Sequence, residues 1–157
     1  MKRPMTPAEL VKASRVIPLE LEVPAKPNGA HTRNGGMITP DEHVGKGNTY
    51  FEAGQFPEAI VEYRRAIQID EQQGEARLKL GDAYARTNEP VNAIKEYIRA
   101  SDLLPDNADA QLKAASGLLL AGRFEEARAR ADKVLARDAK NTTAQILRGN
   151  ALAGLKD

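Results

Sequence analysis

The sequence predicts an all-α solenoid, a row of helix pairs stacked in tandem behind an irregular N-terminal leader. Three observations carry this reading. The first is the stretch Gly74 to Asn107, which contains two amphipathic patterns with a break between them. Leu80, Ala83 and Tyr84 fall at i, i+3, i+4, and Ala93, Tyr97 and Ala100 at i, i+4, i+7, so each half shows one apolar stripe at helical spacing. The second is that this pattern recurs at a fixed offset of 34 residues with no insertion. Gly47, Gly81, Ala115 and Gly149 align, as do Tyr50, Tyr84, Leu118 and Leu152. In the second halves Ala59, Ala93 and Ala127 align, then Tyr63, Tyr97 and Ala131, then Ala66, Ala100 and Val134. The third is composition: no Trp, only four Tyr and three Phe, and abundant Ala, which suits close helix–helix packing rather than a sandwich or barrel.

Taken in order, residues 1–39 form the leader. Five of the nine prolines fall in its first 27 residues, and a Gly/Asn-rich run from Asn28-Gly29 through Asn34-Gly35-Gly36 follows. Such a composition favours irregular or disordered chain. Within it, Thr6-Pro7-Ala8-Glu9 has capping-box spacing and predicts a short helix over roughly 7–13. Leu19, Leu21 and Val23 alternate with Glu20 and Glu22, which reads as an extended linker or as a segment lying along the protein's own groove or against another chain.

Thr39-Pro40-Asp41-Glu42 repeats the capping arrangement, and here a long helical pattern follows, so the folded domain is expected over 40–157. Its copies are 40–73, 74–107 and 108–141, with a partial fourth over 142–157. In the central copy Asn88-Glu89-Pro90 separates the two helices. Pro90 suits the first turn of the second helix, and Pro105 stops that helix by disfavouring helical geometry in Leu104. The fourth copy supplies one helix only. It reads either as a terminal cap or, since it keeps Gly149, Ala151 and Leu152, as the start of a solenoid that continues.

These residues resemble the tetratricopeptide repeat family, whose pattern runs aromatic, Leu-Gly, Tyr, Ala, aromatic, Ala and a closing Pro. The central copy supplies Leu80, Gly81, Tyr84, Ala93, Tyr97, Ala100 and Pro105. Departures fall at His43, Arg77 and Gln111 in place of the first aromatic, and at Glu71 and Ala139 in place of the closing Pro. The third copy also has Ala115 for Gly and Ala131 for the second aromatic. The resemblance implies a right-handed solenoid of three helix pairs plus a final single helix. Gly47 and Gly81 are expected to let Ala59 and Ala93 approach, and Tyr50 and Tyr84 to fill the space between repeats.

Several function classes are disfavoured. Twenty-three basic against 22 acidic residues leave a net charge of +1, which gives no field to hold nucleic acid. There is no Cys, and the two histidines, His31 and His43, have no third ligand at metal spacing. His43 reads as a partly buried packing residue. No nucleophile–base set and no phosphate loop can be assembled, so neither an enzyme nor a cofactor is expected. No run of 18 apolar residues and no export signal is visible, and the default expectation is cytoplasmic. Asp41, Glu75 and Asp109, with Lys79 and Lys113 four residues after the latter two, read as ordinary helix-supporting pairs.

By the family resemblance, the first helices line a groove with Val44, Asn48 and Phe51; Leu78, Asp82 and Ala85; Leu112, Ser116 and Leu119; and Ile146, Asn150 and Ala153. Each row is apolar, polar, apolar. A polar column flanked by two apolar columns suits an extended peptide or an amphipathic helix. The alternative is that these apolar residues chiefly pack repeats together. The expected function is a scaffold or adaptor that binds a partner protein or peptide in this groove. The other readings are an accessory segment of a larger enzyme or envelope and polysaccharide assembly machine, and a self-associating spacer. A carboxylate clamp of the chaperone-binding kind is not supported: Asn48 matches it, but Val44, Lys79, Asp109 and Lys113 stand at the other four positions.

Overall fold

The computed structural model describes residues 3–4, 31–33 and 36–157. The expected helix over 7–13 and the extended stretch around Leu19 to Val23 lie outside the described residues. Among the described residues seven helices follow one another: α1 Pro40–Glu52, α2 Phe56–Ile69, α3 Gly74–Arg86, α4 Pro90–Leu103, α5 Ala108–Leu120, α6 Phe124–Arg137 and α7 Thr142–Gly154. Each packs on the next, and α1 touches α3 as α5 touches α7, so the first helices form one layer of an all-α solenoid. A short antiparallel hairpin stands before them, β1 His31–Arg33 with β2 Gly36–Ile38, in the register His31 to Ile38. Composition alone gave no regular element here. The two residues between the strands read Asn-Gly, the strongest short hairpin signal in a sequence.

Local chemistry accounts for the helix boundaries. Thr39 Oγ1 accepts from the Glu42 N–H at 3.2 Å, and Glu42 answers by accepting from the Thr39 N–H at 2.8 Å, which closes the capping box on α1. Asn107 and Asn141 cap α5 and α7 in the same sense, each accepting a backbone N–H at 3.0 Å. Pro90 opens α4, and that helix ends at Leu103, ahead of Pro105. The turn inside each pair needs one left-handed residue, and it falls at the same repeat position each time: Gly54, Asn88 and Gly122, with φ of 75°, 60° and 71°.

The joint inside each of the first two repeats differs from the sequence expectation. A Cβ on Gly47 would lie 2.5 Å from the Tyr63 ring, and one on Gly81 would lie 2.6 Å from the Tyr97 ring. The glycines therefore make room for a second-helix tyrosine rather than for Ala59 and Ala93. The reason is reach: the fully buried alanines have only a methyl group, whereas the ring spans the gap to the first helix. Tyr84 does pack between repeats, against the cluster of Val44, Ala59 and Leu80. Tyr50, on α1, stays exposed.

Polar residues at the first aromatic position take up a different task. Arg77 donates to the Glu71 carbonyl at 3.1 and 3.3 Å, Gln145 donates to the Ala139 carbonyl at 2.8 Å, and Gln111 reaches the Pro105 carbonyl at 3.4 Å. Gln111 also donates to Ser101 O at 2.7 Å and to Leu104 O at 3.3 Å. Glu71, Pro105 and Ala139 share one repeat position, so each of these side chains clasps the end of the preceding repeat. His43 begins the series and is buried, with Nδ1 2.6 Å from Glu62 Oε2. Arg77 makes the corresponding pair with Glu96 at 3.1 Å.

Two outcomes follow for stability. Gly47→Ala and Gly81→Ala should each lower the denaturant midpoint, because overpacking costs about 1–3 kcal/mol, against a helix-propensity gain of at most about 1 kcal/mol. Burial, helped by the charges of Asp82, Glu52 and Glu75, pushes the Tyr63 hydroxyl from 10.0 up to about 12. The folded state then holds its proton where the unfolded chain has released it, so stability is complete below pH 10 and falls as pH rises from 10 to 12. Thermal melts taken across that range, with tyrosinate absorbance as a second readout, check this.

Candidate ligand groove

The tyrosines that fill the glycine notches also set the groove's polar column. Tyr63 donates its hydroxyl hydrogen bond to Asn48 Oδ1 at 2.8 Å, and Tyr97 donates to Asp82 Oδ1 at 2.9 Å. Burial, then the Asp82 charge and hydrogen bond, holds the Tyr97 hydroxyl well above its ordinary value, so it remains a donor throughout the neutral range. Asn48 and Asp82 are thus half-committed to holding their own repeats together. Ser116 has no such partner because Ala131 replaces the tyrosine, and its side chain is exposed.

Lys113, on α5, completes the centre. Its ammonium lies 2.7 Å from Asp82 Oδ1 and 2.9 Å from Asp109 Oδ2, and 5.8 Å from the centre of the Tyr97 ring. Burial alone would lower its pKa, but the hydrogen bonds and charges of the two aspartates outweigh this and raise it. Lys113 therefore stays charged, and two carboxylates surround one ammonium. The local field is not one that attracts an anion.

The apolar columns divide. Val44 and Leu78 are buried, at 9% and 4% exposure, in the interfaces between successive repeats. Leu112 is half-buried against Ala115, Ala131 and Leu147, and Leu119 against these and against Leu118, Ala127 and Ala151. Phe51 stacks edge-on against Phe56 at 5.1 Å, and the Arg86 guanidinium covers both rings, 5.8 and 4.5 Å from their centres. Ala85 is exposed beside the turn of its pair, and Ile146, Asn150 and Ala153 are exposed on α7.

Of the residues expected to line a groove, Ala85 and Ser116 meet in one recess of about 250 Å³. Its other walls are Asn88, Pro90, Ala93, Ile94, Tyr97, Lys113, Gly117 and Leu120, so the second helix and its turn contribute as much as the first helices do. Gly117 lies under Ile94, where a Cβ would come within 2.8 Å. Leu120 is 81% exposed at the rim. The sequence carried a signal for it: three successive leucines, 118 to 120, span about 200° of a helix, more than one buried stripe can take. Among the described residues no group of His, Asp and Glu could hold a metal ion, and no helix is long and apolar enough to cross a membrane.

Comparison with known proteins places this geometry. Two family models match, one described as a TPR repeat over residues 47–88 and one as a tetratricopeptide repeat over 112–157. Among curated proteins, the chain is 32% identical over 104 residues to Superkiller protein 3 of Schizosaccharomyces pombe, covering 66% of this chain and 8% of that protein. It is 29% identical over 82 residues to the Superkiller complex protein 3 of mouse, covering 52% of this chain and 5% of that one. The chain thus spans a small fraction of those proteins' length. Among solved structures, the first TPR of Spaghetti (RPAP3), bound to the HSP90 peptide SRMEEVD, superposes with a TM-score of 0.64 at 22% identity, over 76% of this chain and 94% of that one. The Arabidopsis OM64 TPR domain gives 0.60 at 19% identity, over 73% and 95%. The second TPR domain of human RPAP3, in complex with an HSP70 peptide, gives 0.60 at 22%, over 71% and 97%. With two family models that between them match more than half of its length, and a 34-residue period that runs through the seven described helices, the chain belongs to the tetratricopeptide repeat family.

Proposed function

We propose that the protein is an interaction module that binds a partner peptide or helix in the recess between α3, α4 and α5, by an apolar side chain. The observation that supports this most directly is the recess itself. Ile94, Tyr97, Gly117 and Leu120 offer apolar contact, while Asn88 and Ser116 stand ready to bond a ligand's backbone. Its polar centre is already paired internally, since Lys113 is shared between Asp82 and Asp109. A ligand gains there by burying apolar surface and not by charge.

The solved neighbours include domains bound to acidic chaperone peptides such as SRMEEVD, and peptide binding by that fold supports the general reading. The Lys113 environment argues for a different ligand class in this chain. A second reading, an accessory segment within a larger assembly, has one supporting fact: the curated relatives are far longer proteins in which the matched stretch is 5–8% of the length.

Selection of a displayed peptide library on this chain should enrich sequences with a large apolar or aromatic side chain. Leu120→Asp, at an exposed position that leaves the fold intact, should weaken them at least about tenfold, roughly 1.4 kcal/mol. Enriched peptides that bind Leu120→Asp as well as the parent would place the site elsewhere. The peptide SRMEEVD should bind no tighter than about 1 mM. Asp82→Asn should improve that affinity, because it frees Lys113 of one carboxylate while keeping the acceptor for Tyr97, as Asn48 does for Tyr63.

A further inference from the structure

Between α2 and α4 the chain places charged and polar residues where the next repeat has packing and ion pairs. One repeat later the second helices α4 and α6 are tied together by Arg130 to Asp102 at 2.6 Å and by Arg137 to Asp106. At the same repeat positions on α2 and α4 stand Glu96 with Gln68 and Leu103 with Gln72, and neither combination forms an ion pair. Ile98, which packs on Leu118, Ala127 and Ala151, has Arg64 as its counterpart, and Leu118 has Tyr84. What remains is an open cleft of about 750 Å³, with Leu80 and Tyr84 of α3 as its floor.

Three guanidiniums, of Arg64, Arg77 and Arg99, and two carboxylates, of Glu71 and Glu96, line the cleft, a local excess of one positive charge. They are unequally engaged. Arg77 is held by Glu96 at 3.1 Å and by the Glu71 carbonyl. Arg99 is only 4.0 Å from Glu96 and largely exposed. Arg64 pairs with no carboxylate among the described residues. Burial holds the Tyr84 hydroxyl above its ordinary value against the opposing Arg64 charge, so it stays a donor.

We propose that this cleft binds a phosphate monoester with an aromatic body, its phosphate held by Arg64 of α2 and Arg99 of α4 and its body lying on Ile67, Leu80 and Tyr84. Guanidiniums on two walls and a hydroxyl on the floor suit a tetrahedral group, whose oxygens point to several sides. A planar carboxylate presents only two oxygens, in one plane. The bound phosphate bridges α2 and α4 as the Arg130 to Asp102 pair bridges α4 and α6. Glu71, exposed at the rim, opposes the anion and limits its affinity. The cleft shares no residue with the recess between α3, α4 and α5 and does not depend on a ligand being bound there.

The probe is phenyl phosphate, titrated into the isotope-labelled chain at low salt and followed by amide and arginine side-chain chemical shifts. Perturbation centred on Arg64, Tyr84 and Arg99, with a Kd of roughly 0.1–1 mM, is expected, and benzoate should bind at least about tenfold more weakly. Arg64→Ile, which matches Ile98 one repeat later, should melt no lower than the parent yet bind phenyl phosphate at least about tenfold more weakly. Arg64→Lys should weaken binding a few-fold, because an ammonium lacks the guanidinium's fork, and Glu71→Gln should tighten it. A phosphotyrosine peptide and adenosine monophosphate distinguish a partner's modified side chain from a free nucleotide as the source, by which of them binds tighter. No shift around the cleft up to about 10 mM, equal binding by Arg64→Ile and by Arg64→Lys, or benzoate binding as tightly as phenyl phosphate overturns the proposal.

Discussion

The rest of the structure depends on one steric constraint, a tyrosine ring from the second helix of a pair lying on a glycine of the first. At 2.5–2.6 Å from where a Cβ would be, the ring leaves no room for a side chain there. The contact sets how closely the two helices approach, and the surrounding alanines follow from it, since larger residues would hold the backbones apart. The same ring reaches through to Asn48 or Asp82 and orients it. One residue thus fixes both the packing of a repeat and the polar floor of its groove. Where the third copy gives up the tyrosine it also gives up the glycine, and Ser116 is left exposed.

Much of this was legible in the sequence, and the boundary of legibility has a physical cause. The 34-residue period, the capping box at Thr39 and the proline at α4's first turn are local or self-referential, and they read correctly from residue order alone. What faces what across two helices is not local. Periodicity pairs the aligned glycines with Ala59 and Ala93, because it places residues on a face without saying how far a side chain reaches from it. For the same reason Asn48 and Asp82 could be recognised as a column, but not as acceptors already engaged by Tyr63 and Tyr97. Leu120 was hidden differently, as the off-phase member of a leucine run whose other two members point inward.

Electrostatics narrows the groove's chemistry. With nearly balanced charge overall, the chain has no long-range field to recruit a ligand, so short-range pairing decides. Around Lys113 that pairing is internal. Asp82 is shared between a tyrosine and a lysine from two different repeats, which makes it a structural tie as much as a binding group. A surface built this way discriminates by fit, because its charged groups are already paired with one another and most of its uncovered area is apolar.

The departures from the family's first aromatic carry a consequence for ancestry and engineering. Arg77, Gln111 and Gln145 each ask the preceding repeat for a backbone carbonyl, which every residue supplies, rather than for a tailored pocket. A joint of that kind is indifferent to its neighbour's side chains. The clasp can therefore be carried to any neighbour, whereas Lys113 with Asp82 and Gly117 beneath Ile94 have to move together, which separates the transplantable part of an interface from the matched part.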